Sequence, residues 1–308
     1  MKKLLITGAG GFLGSNASNY FSSKGYDVFA ASRNPKDSWR LNLIPCNKLP
    51  LDITSKSSCE SSIKTSSPDC IINFAAYGAY PGAQTDSSLM KKTNVVGAKN
   101  LLECASEHSI PNFIQIGSSS EYGPKDFPID ESDSCNPQDD YAKTKLEATK
   151  LTLNDWGSTK TSVARPFSPF GEFEESRRLI PTLILSALNK TAAQLSSPNS
   201  MRDFMYVQNF NLGLELMLSS NSSNKEIFNL SQGSQISVGQ MAQLIHEIIP
   251  NSPPPNFGAV QNPRKEPKMW QADISKAKKI LGWEPKITVH DGLQKTIDWI
   301  EKNKKFYS

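Results

Sequence analysis

Short apolar runs alternate with amphipathic segments along the first half of the chain. The runs that predict buried strands are Lys3–Thr7, Asp27–Ser32, Cys70–Phe74, Asn112–Ile116 and Thr161–Ala164. Between them, a helical spacing of apolar residues predicts helices over Leu13–Lys24, Leu89–Glu107 and Tyr141–Leu153. Strands that alternate with helices in this way predict an α/β fold with a doubly wound parallel sheet, covered by helices on both faces.

The regular alternation ends near Ser168. Segments rich in proline, asparagine and serine follow, such as SSPNS and IIPNSPPPNF, while helices are still predicted over Val238–Ile249, Ser275–Leu281 and Asp291–Asn303. We expect residues 1–168 to form the main sheet domain. Residues 169–308 are expected to form mainly a smaller C-terminal α/β lobe that covers the crevice, with part of it returning to the main sheet.

Composition and charge narrow the functional class. The 308 residues are 37% hydrophobic and 21% charged, and the formal net charge is +4. So small a charge gives no reason to expect nucleic acid or a membrane surface as a partner. No apolar run approaches the ~18–20 residues of a membrane span, and the opening MKKLLI is too short for a signal peptide. A cytoplasmic location is therefore expected.

The cysteines and histidines predict neither disulfides nor a metal site. The five cysteines form no CxxC pair and are odd in number, which favours free thiols in a reducing compartment. The three histidines are far apart in sequence and have no ligand-like neighbours. We therefore expect no metal and no histidine base.

Three glycines follow the first predicted strand, in GAGGFLG. Gly8, Gly11 and Gly14 lie where a tight turn would leave backbone N–H groups, such as those of Phe12 and Leu13, at a helix N-terminus. Such a turn is a seat for a pyrophosphate, although an ordinary strand–turn–helix connection has the same spacing. Its position at the first strand favours dinucleotide binding in a Rossmann-type sheet.

The end of the second strand indicates which dinucleotide is bound. It carries Ser32 and Arg33 rather than a carboxylate, so we favour NADP over NAD, because a guanidinium can donate to a 2′-phosphate. The alternative is that Arg33 is a solvated loop residue. Asp52, followed by Ile53, is placed to accept from the adenine amino group, and a helix N-cap explains this aspartate equally well.

A tyrosine and a lysine one helical turn apart are candidates for proton transfer. In QDDYAKTKLEATK, Tyr141 and Lys145 share one face of a predicted helix. A nearby ammonium favours the phenolate, so the phenol can exchange a proton with a carbinol or carbonyl oxygen. Such a pair alone is common on helix surfaces. The hydroxyl-rich GSSSEYG that follows a strand, with Ser118 at its start, makes a catalytic group the better interpretation.

The motifs together resemble one enzyme family. GAGGFLG resembles its glycine turn, INFAA its NxAA-like strand segment, KTNVVGAKNLL its asparagine-containing helix and YAKTK its YxxxK motif. Later segments agree, among them ARPFSPFG, MRDFMYV and ADISKAKKILGWEP. Over nearly its full length the chain resembles an extended short-chain dehydrogenase/reductase, the group of sugar-nucleotide epimerases, dehydratases and reductases.

This resemblance implies roles for individual residues. The catalytic group would be Ser118, Tyr141 and Lys145. The cofactor-binding set would be Gly8, Gly11, Phe12, Leu13, Gly14, Ser32, Arg33, Asp52, Ile53, Ala75, Ala76, Tyr141, Lys145 and Pro166. The substrate-binding set would be Ser118, Ser119, Ser168, Leu179, Arg202 and Arg264, although Leu179 also fits an ordinary core position. A homodimer formed through two long helices is a further implication.

Departures from the family pattern bear on the reaction. Dehydratases of the family place Asp-Glu directly after the catalytic Ser/Thr, whereas Ser119 and Ser120 stand there in this chain and Glu121 lies one residue later. Dehydration is therefore disfavoured. Ser168 replaces a frequent asparagine, and Gln208-Asn209 replaces an acidic pair.

These observations leave three hypotheses. The leading one is an NADP-dependent 4-keto-6-deoxyhexose reductase acting at C4 of a nucleotide-activated sugar. The alternative is an NAD-dependent sugar-nucleotide 4-epimerase that uses the same three residues. A non-catalytic dinucleotide-binding protein is the third, and it is disfavoured because Ser118, Tyr141 and Lys145 are all present.

Overall fold

The architecture is a parallel sheet with helices on both faces, as the alternating pattern predicts. A computed structural model describes residues 2–79, 84–261 and 269–307. The strands are β1 (Lys3–Thr7), β2 (Asp27–Ser32), β3 (Asn47–Pro50), β4 (Cys70–Asn73), β5 (Asn112–Ile116), β6 (Lys160–Pro166), β7 (Ser168–Phe170), β8 (Gln194–Leu195), β9 (Met201–Arg202), β10 (Phe204–Tyr206), β11 (Glu226–Leu230), β12 (Ile236–Ser237) and β13 (Asn256–Phe257). The α-helices are α1 (Phe12–Ser23), α2 (Trp39–Asn42), α3 (Lys56–Ser66), α4 (Ser87–Met90), α5 (Gly97–Glu107), α6 (Asp140–Thr152), α7 (Leu179–Leu188), α8 (Val207–Ser219), α9 (Val238–Ile248), α10 (Ser275–Leu281) and α11 (Val289–Lys302).

Seven strands form the main sheet in the order β11-β6-β5-β4-β1-β2-β3, and all neighbours are parallel. Its centre is apolar: Leu4, Leu5 and Ile6 of β1 are fully buried. From β1 the chain adds β2 and β3 on one side of the sheet and then β4, β5 and β6 on the other. This switch between β1 and β4 creates a crevice beyond their carboxyl ends. The sheet is therefore a Rossmann-type sheet with a ligand crevice at that edge.

The second half of the chain contributes the last strand of this sheet. β11 pairs with β6 over the register Glu226↔Ser162 to Leu230↔Pro166. The segments rich in proline and serine suggested that the alternation of helix and strand ends near Ser168. In the structure it continues for one more unit, through α8 and β11. One hydrophobic cluster extends from Leu4 to Tyr307 and joins both halves.

The long helix predicted over Leu89–Glu107 is interrupted by a wider turn. Residues Lys91–Val96 form a π-helical segment between α4 and α5. Within it, the Asn94 amide accepts from the Tyr77 N–H at 2.8 Å and donates to the Tyr77 carbonyl at 2.8 Å and to Thr144 Oγ1 at 2.9 Å. The π segment thus ties the loop after β4 to helix α6.

The remaining strands of the described residues form small two-stranded pairs. β7 pairs with β10 in parallel, β12 with β9 antiparallel and β13 with β8 in parallel. All five cysteines are free thiols. Among the described helices, none has the length and apolar character that crossing a bilayer requires.

Candidate active site

A tight glycine turn connects β1 to α1. Gly8 has φ +64°, and the Gly11 N–H donates to the Gly8 carbonyl at 3.0 Å. A Cβ on Gly14 would lie 2.4 Å from Gly8 O, so only glycine allows this packing. Gly11 is the N-cap of helix α1 and provides no side-chain cap, which leaves the N–H groups of Phe12 and Leu13 without a side-chain acceptor. This turn fits a dinucleotide pyrophosphate.

A buried polar row fixes the loop after β4 against that turn. Asn73 Oδ1 accepts from Thr7 Oγ1 at 2.5 Å and from the Ala75 N–H at 3.2 Å, and Asn73 Nδ2 donates to Gln115 Oε1 at 2.9 Å. A Cβ on Gly8 would lie 2.6 Å from Ala75 N. The structure therefore brings Ala75, and Ala76 after it, beside the glycine turn.

The end of β2 lies on the other side of the same turn. Ser32 is half-buried and Arg33 is exposed, and Ser32 Oγ is 3.7 Å from where a Gly10 Cβ would lie. Arg40 was not anticipated from the sequence. Its buried guanidinium donates to Phe173 O at 2.7 Å and to Gly10 O at 3.3 Å, so it links the turn to the segment after β7.

Asp52 lies in an exposed turn after β3. Its Oδ1 accepts from the Thr54 N–H at 2.9 Å and from Thr54 Oγ1 at 2.8 Å. Helix α3 is capped by Ser55, whose side chain accepts from the Ser58 N–H, so the interpretation of Asp52 as the helix N-cap is wrong. Ile53 is buried. The roles of both residues toward adenine remain predictions.

Helix α6 presents Tyr141 and Lys145 one turn apart. Asp139 caps the helix by accepting from the Ala142 N–H at 2.8 Å. Lys145 is buried, and its ammonium donates to the Ile116 carbonyl at the end of β5. Burial lowers the pKa of Lys145 to about 8, and the Glu121 carboxylate opposes that change.

Ser118 is the hydrogen-bond neighbour of Tyr141. Burial raises the pKa of the Tyr141 phenol to about 12, while the positive charge of Arg178 and a hydrogen bond with Ser118 lower it. Ser118 Oγ also lies 2.7 Å from Ser120 Oγ. The structure therefore joins Ser118, Tyr141 and Lys145 at the carboxyl edge of β5. Lys145 is the cation that the helix spacing predicts to act on the phenol, and Arg178 is a further positive charge that lowers the pKa of Tyr141.

Glu121 is fixed in a buried ion pair. Its Oε2 accepts from Arg165 Nε at 2.9 Å and Nη2 at 2.6 Å, and its Oε1 accepts from the Ser118 N–H at 2.7 Å. Neither side chain is more than 2% exposed. Glu121 therefore holds Ser118 in place and is unavailable as the acid or base of a dehydratase. The sequence signal for this ion pair was Arg165, a charged residue inside the buried strand motif ARPF, because a buried charge needs a partner of opposite charge.

A cavity of about 430 Å³ is lined by residues that follow β6 in the chain. It contains three residues predicted to bind substrate: Ser168, Leu179 and Arg202. The half-buried Leu179 both lines the cavity and packs on the core, so the two interpretations of that residue are compatible. The other residues that line it are Phe167, Pro169, Glu174, Arg177, Arg178, Ile180, Leu195, Ser196, Ser197, Ser200, Phe204 and Val238.

Glu174 and Arg178 form a charged pair in the wall of this cavity, which the sequence did not indicate. Arg178 Nε lies 3.6 Å from Glu174 Oε1. Glu174 is 4% exposed, and its Oε2 has no hydrogen-bond partner among the described residues. Burial raises the pKa of Glu174 to about 8, against the effect of Arg178.

The remaining predicted residues are placed less directly. Ser119 is only 3% exposed, whereas Ser120 is half-buried beside Ser118, so the exposed surface favours Ser120 as the second hydroxyl at the site. Pro166 is buried at the end of β6. Arg264 lies outside the described residues.

One cluster outside this edge has metal-ligating atoms. Glu60, Cys104 and Glu107 bring one such atom each within 4.8 Å of one another. Glu107 already pairs with Lys56 at 2.7 Å, and burial raises the pKa of the Cys104 thiol to about 11. An ion-paired helix surface explains this cluster.

Comparison with known proteins agrees with the geometry. The model of the NAD dependent epimerase/dehydratase family matches residues 4–231. The chain is 26% identical to a UDP-glucuronate 4-epimerase of Thermodesulfobacterium geofontis over 315 residues, covering 97% of this chain and 96% of that protein.

Solved structures share the whole fold. The epimerase Mth375 of Methanothermobacter thermautotrophicus has a TM-score of 0.89 at 25% identity, covering 99% of this chain and 94% of that one. The UDP-glucuronic acid 4-epimerase of Bacillus cereus, in complex with UDP-glucuronic acid and NAD, has a TM-score of 0.85 at 23% identity, covering 98% of this chain and 100% of that one. The family match extends over most of the chain and includes the glycine turn, Ser118, Tyr141 and Lys145; the protein belongs to the NAD-dependent epimerase/dehydratase family and is an enzyme of sugar-nucleotide metabolism.

Proposed function

We propose that the protein is a 4-epimerase of a UDP-activated sugar that works with a retained NAD. The observation that carries the proposal is the group at the carboxyl edge of β5, where Ser118 follows the strand, the Lys145 ammonium donates to the Ile116 carbonyl and Tyr141 shares a helix face with Lys145. One relative, 26% identical over 97% of this chain, is a UDP-glucuronate 4-epimerase, which supports epimerisation over the reduction favoured by the sequence alone.

The chemistry follows from these side chains. Tyr141 takes the proton of the sugar O4 hydroxyl and later returns it, and Ser118 donates to the same oxygen while it has carbonyl character. A bound nicotinamide supplies the two-electron acceptor for this exchange at C4. Lys145 holds its ammonium at the Ile116 carbonyl, within the helix turn next to Tyr141. Since burial opposes the phenolate, the proton transfer needs positive charge near Tyr141.

Dehydration is disfavoured by the position of the nearby carboxylate. Elimination of water from the sugar needs an acid and a base beside the catalytic serine. Ser119 and Ser120 cannot supply them, and Glu121 is held by Arg165 and by the Ser118 N–H.

The cavity supports a nucleoside diphosphate as the part of the substrate that anchors the sugar. Its lining includes three arginines, Arg177, Arg178 and Arg202. Each guanidinium can donate two parallel hydrogen bonds to two oxygens of a phosphate. Leu179 and Ile180 provide an apolar wall for a base. UDP is the proposed nucleotide because the solved relative with the same fold binds UDP-glucuronic acid.

The test identifies the bound cofactor and measures turnover of candidate substrates. The purified protein is denatured, the released dinucleotide is identified by mass, and UDP-glucose, UDP-galactose, UDP-glucuronic acid and UDP-galacturonic acid are each incubated with the enzyme. We expect NAD and the C4 epimer of at least one sugar, with no net NADH. Tyr141→Phe should lower kcat by about 10²–10⁴-fold, and Tyr20→Phe, whose phenol donates to Glu215, should not. Absence of any epimer from the panel would contradict the proposal.

A second candidate is an NADP-dependent 4-keto-6-deoxyhexose reductase. The exposed Arg33 and the half-buried Ser32 at the end of β2, beside the glycine turn, favour it. Release of NADP, oxidation of NADPH by a 4-keto sugar nucleotide, and loss of NADP affinity in Arg33→Ala would support this reaction instead.

The oligomeric state is proposed from the same family resemblance. We expect a homodimer through the helical surface of residues 87–107 and α6, where Val96 is 42% exposed. Light scattering should give about twice the 33.9 kDa of one chain. A mass of one chain would exclude the dimer.

A further inference from the structure

Arg40 contacts the backbone of the glycine turn. Its buried guanidinium donates through Nη1 to the Gly10 carbonyl at 3.3 Å and through Nε to the Phe173 carbonyl at 2.7 Å. The Gly10 carbonyl shares a planar peptide unit with the Gly11 N–H, which donates to the Gly8 carbonyl at 3.0 Å. The hydrogen bond from Arg40 therefore fixes the orientation of the peptide unit that leads into helix α1.

The segment after β7 holds Arg40 from its other side. Its Nη2 lies 3.9 Å from Glu175 Oε1. Phe173, whose carbonyl accepts the shorter of the two hydrogen bonds, has φ +65°, a left-handed conformation that a phenylalanine rarely adopts. A residue in such a conformation persists only where the contacts around it hold it there. The guanidinium thus links two constrained backbone segments.

A cluster of aromatic side chains adjoins Arg40. Arg40 Cζ lies 4.7 Å from the centroid of the Trp39 ring, within the range of a cation–π contact. The Trp39 ring stacks on Phe306, with centroids 4.6 Å apart and planes 12° apart. We call the aromatic cluster the five side chains joined by such ring contacts: Trp39, Phe173, Trp299, Phe306 and Tyr307.

The aromatic cluster attaches the end of the chain to the loop after β2. Lys304–Phe306 form a single 3₁₀ turn, in which the two lysines are exposed while Phe306 is half-buried and Tyr307 is buried. The Phe306 N–H donates to Asn303 O and the Tyr307 N–H donates to Lys304 O, each at 2.9 Å. These hydrogen bonds are local, so the packing of the two rings is what attaches this turn to the sheet domain.

We propose that Arg40 is a positioning residue for the cofactor: steadied by the aromatic cluster, it keeps the glycine turn in the form that receives a dinucleotide pyrophosphate and thereby slows cofactor release. The inference rests on the proposed function only in taking the glycine turn as the dinucleotide site. It gives a structural cause for a cofactor that stays bound through turnover. It also assigns a role in cofactor retention to Phe306, which is 266 residues away from Arg40 in the chain.

The test measures how fast a bound dinucleotide exchanges, and it needs no sugar. The protein is saturated with NAD, or with NADP where that is the form it retains, and mixed with an excess of the deuterium-labelled form. The label that stays on the protein after filtration is followed by mass spectrometry. Arg40→Met keeps the length of the side chain but removes its hydrogen bonds, and it should speed exchange by about tenfold or more. Phe306→Ala, which leaves Arg40 in place, should speed exchange by about threefold.

Phe257→Ala is the matched control. Phe257 is also half-buried against the main hydrophobic cluster, but it lies in β13, which pairs with β8. This variant should lower the midpoint of thermal unfolding, as Phe306→Ala does, and leave the exchange rate within about twofold of wild type. An equal rise of the exchange rate in Phe257→Ala would assign the effect to a general loss of stability and overturn the proposal.

The outcomes separate this inference from the proposed function. A wild-type exchange rate in Arg40→Met would contradict the role of Arg40, even if the enzyme forms an epimer. If Arg40→Met does not fold, Phe306→Ala decides, with faster exchange supporting the proposal and an unchanged rate contradicting it. A wild-type protein that binds neither dinucleotide would contradict this inference and the proposed function together, whereas failure of every sugar would leave the exchange measurement valid.

Discussion

The buried pair of Glu121 and Arg165 gives a quantitative prediction. Glu121→Gln keeps the shape of the side chain but removes the charge that balances a guanidinium only 2% exposed. Breaking such a pair from one side leaves a buried charge without a partner and costs about 3–5 kcal/mol. The same change weakens the anchor of the Ser118 N–H, so activity should fall together with stability.

Urea unfolding followed by tryptophan fluorescence measures the effect. The matched control is Glu103→Gln, which removes one end of a surface pair with Lys56 at 3.4 Å and should change the free energy of unfolding by less than about 0.5 kcal/mol. The double variant Glu121→Gln/Arg165→Met removes both charges and should recover most of the lost stability.

The reasoning would be refuted by two outcomes. One is a Glu121→Gln protein within about 1 kcal/mol of wild type, since a buried ion pair cannot lose one member so cheaply. The other is a double variant that loses the sum of both single losses, because this would mean that the two charges act independently.

Three further predictions concern the site. Tyr141→Phe should lower kcat by about 10²–10⁴-fold and Ser118→Ala by less, because each removes a group that handles the proton. Gly14→Ala should lower the free energy of unfolding by about 1–3 kcal/mol, since its Cβ would meet backbone at 2.4 Å, while Gly10→Ala, with 3.5 Å to its nearest neighbour, should not. Glu174 has a pKa of about 8 in the folded state against an ordinary 4.5, so the folded state binds an extra proton between these two pH values. The free energy of unfolding relative to Glu174→Gln should therefore fall by on the order of 2–4 kcal/mol from pH 5 to 8. Equal pH profiles of the free energy of unfolding in the two proteins would exclude this.

Local patterns were sufficient for much of the fold. Strands β1, β2 and β5 have the bounds that the apolar runs predict, because a parallel strand buried on both faces is a continuous apolar run. Helix α10 also matches its prediction. β11 was not located, since Glu226–Leu230 follows a polar loop and its place beside β6 depends on contacts distant in sequence.

Some residues of the candidate site could likewise be named from the sequence, and others could not. Gly8, Tyr141 and Lys145 could be named because their spacing is a local requirement of a turn or a helix face, and Ser118 could be named from the family resemblance of GSSSEYG. Arg178 and Glu174 could not, because their role depends on how the segment after β7 folds over the edge of the sheet. Lys145 was predicted from helix spacing as the cation beside the phenol and stays a prediction, whereas the effect of Arg178 on the pKa of the same phenol depends on tertiary structure.

The most direct test of the central claim is the fate of the hydrogen at C4. A UDP-sugar that the enzyme turns over is prepared with deuterium at C4, and its epimer is analysed by mass spectrometry and NMR. If Tyr141 and Ser118 serve a two-electron exchange at C4, the product keeps its deuterium at C4 even in ordinary water. Loss of that deuterium to solvent would contradict the account.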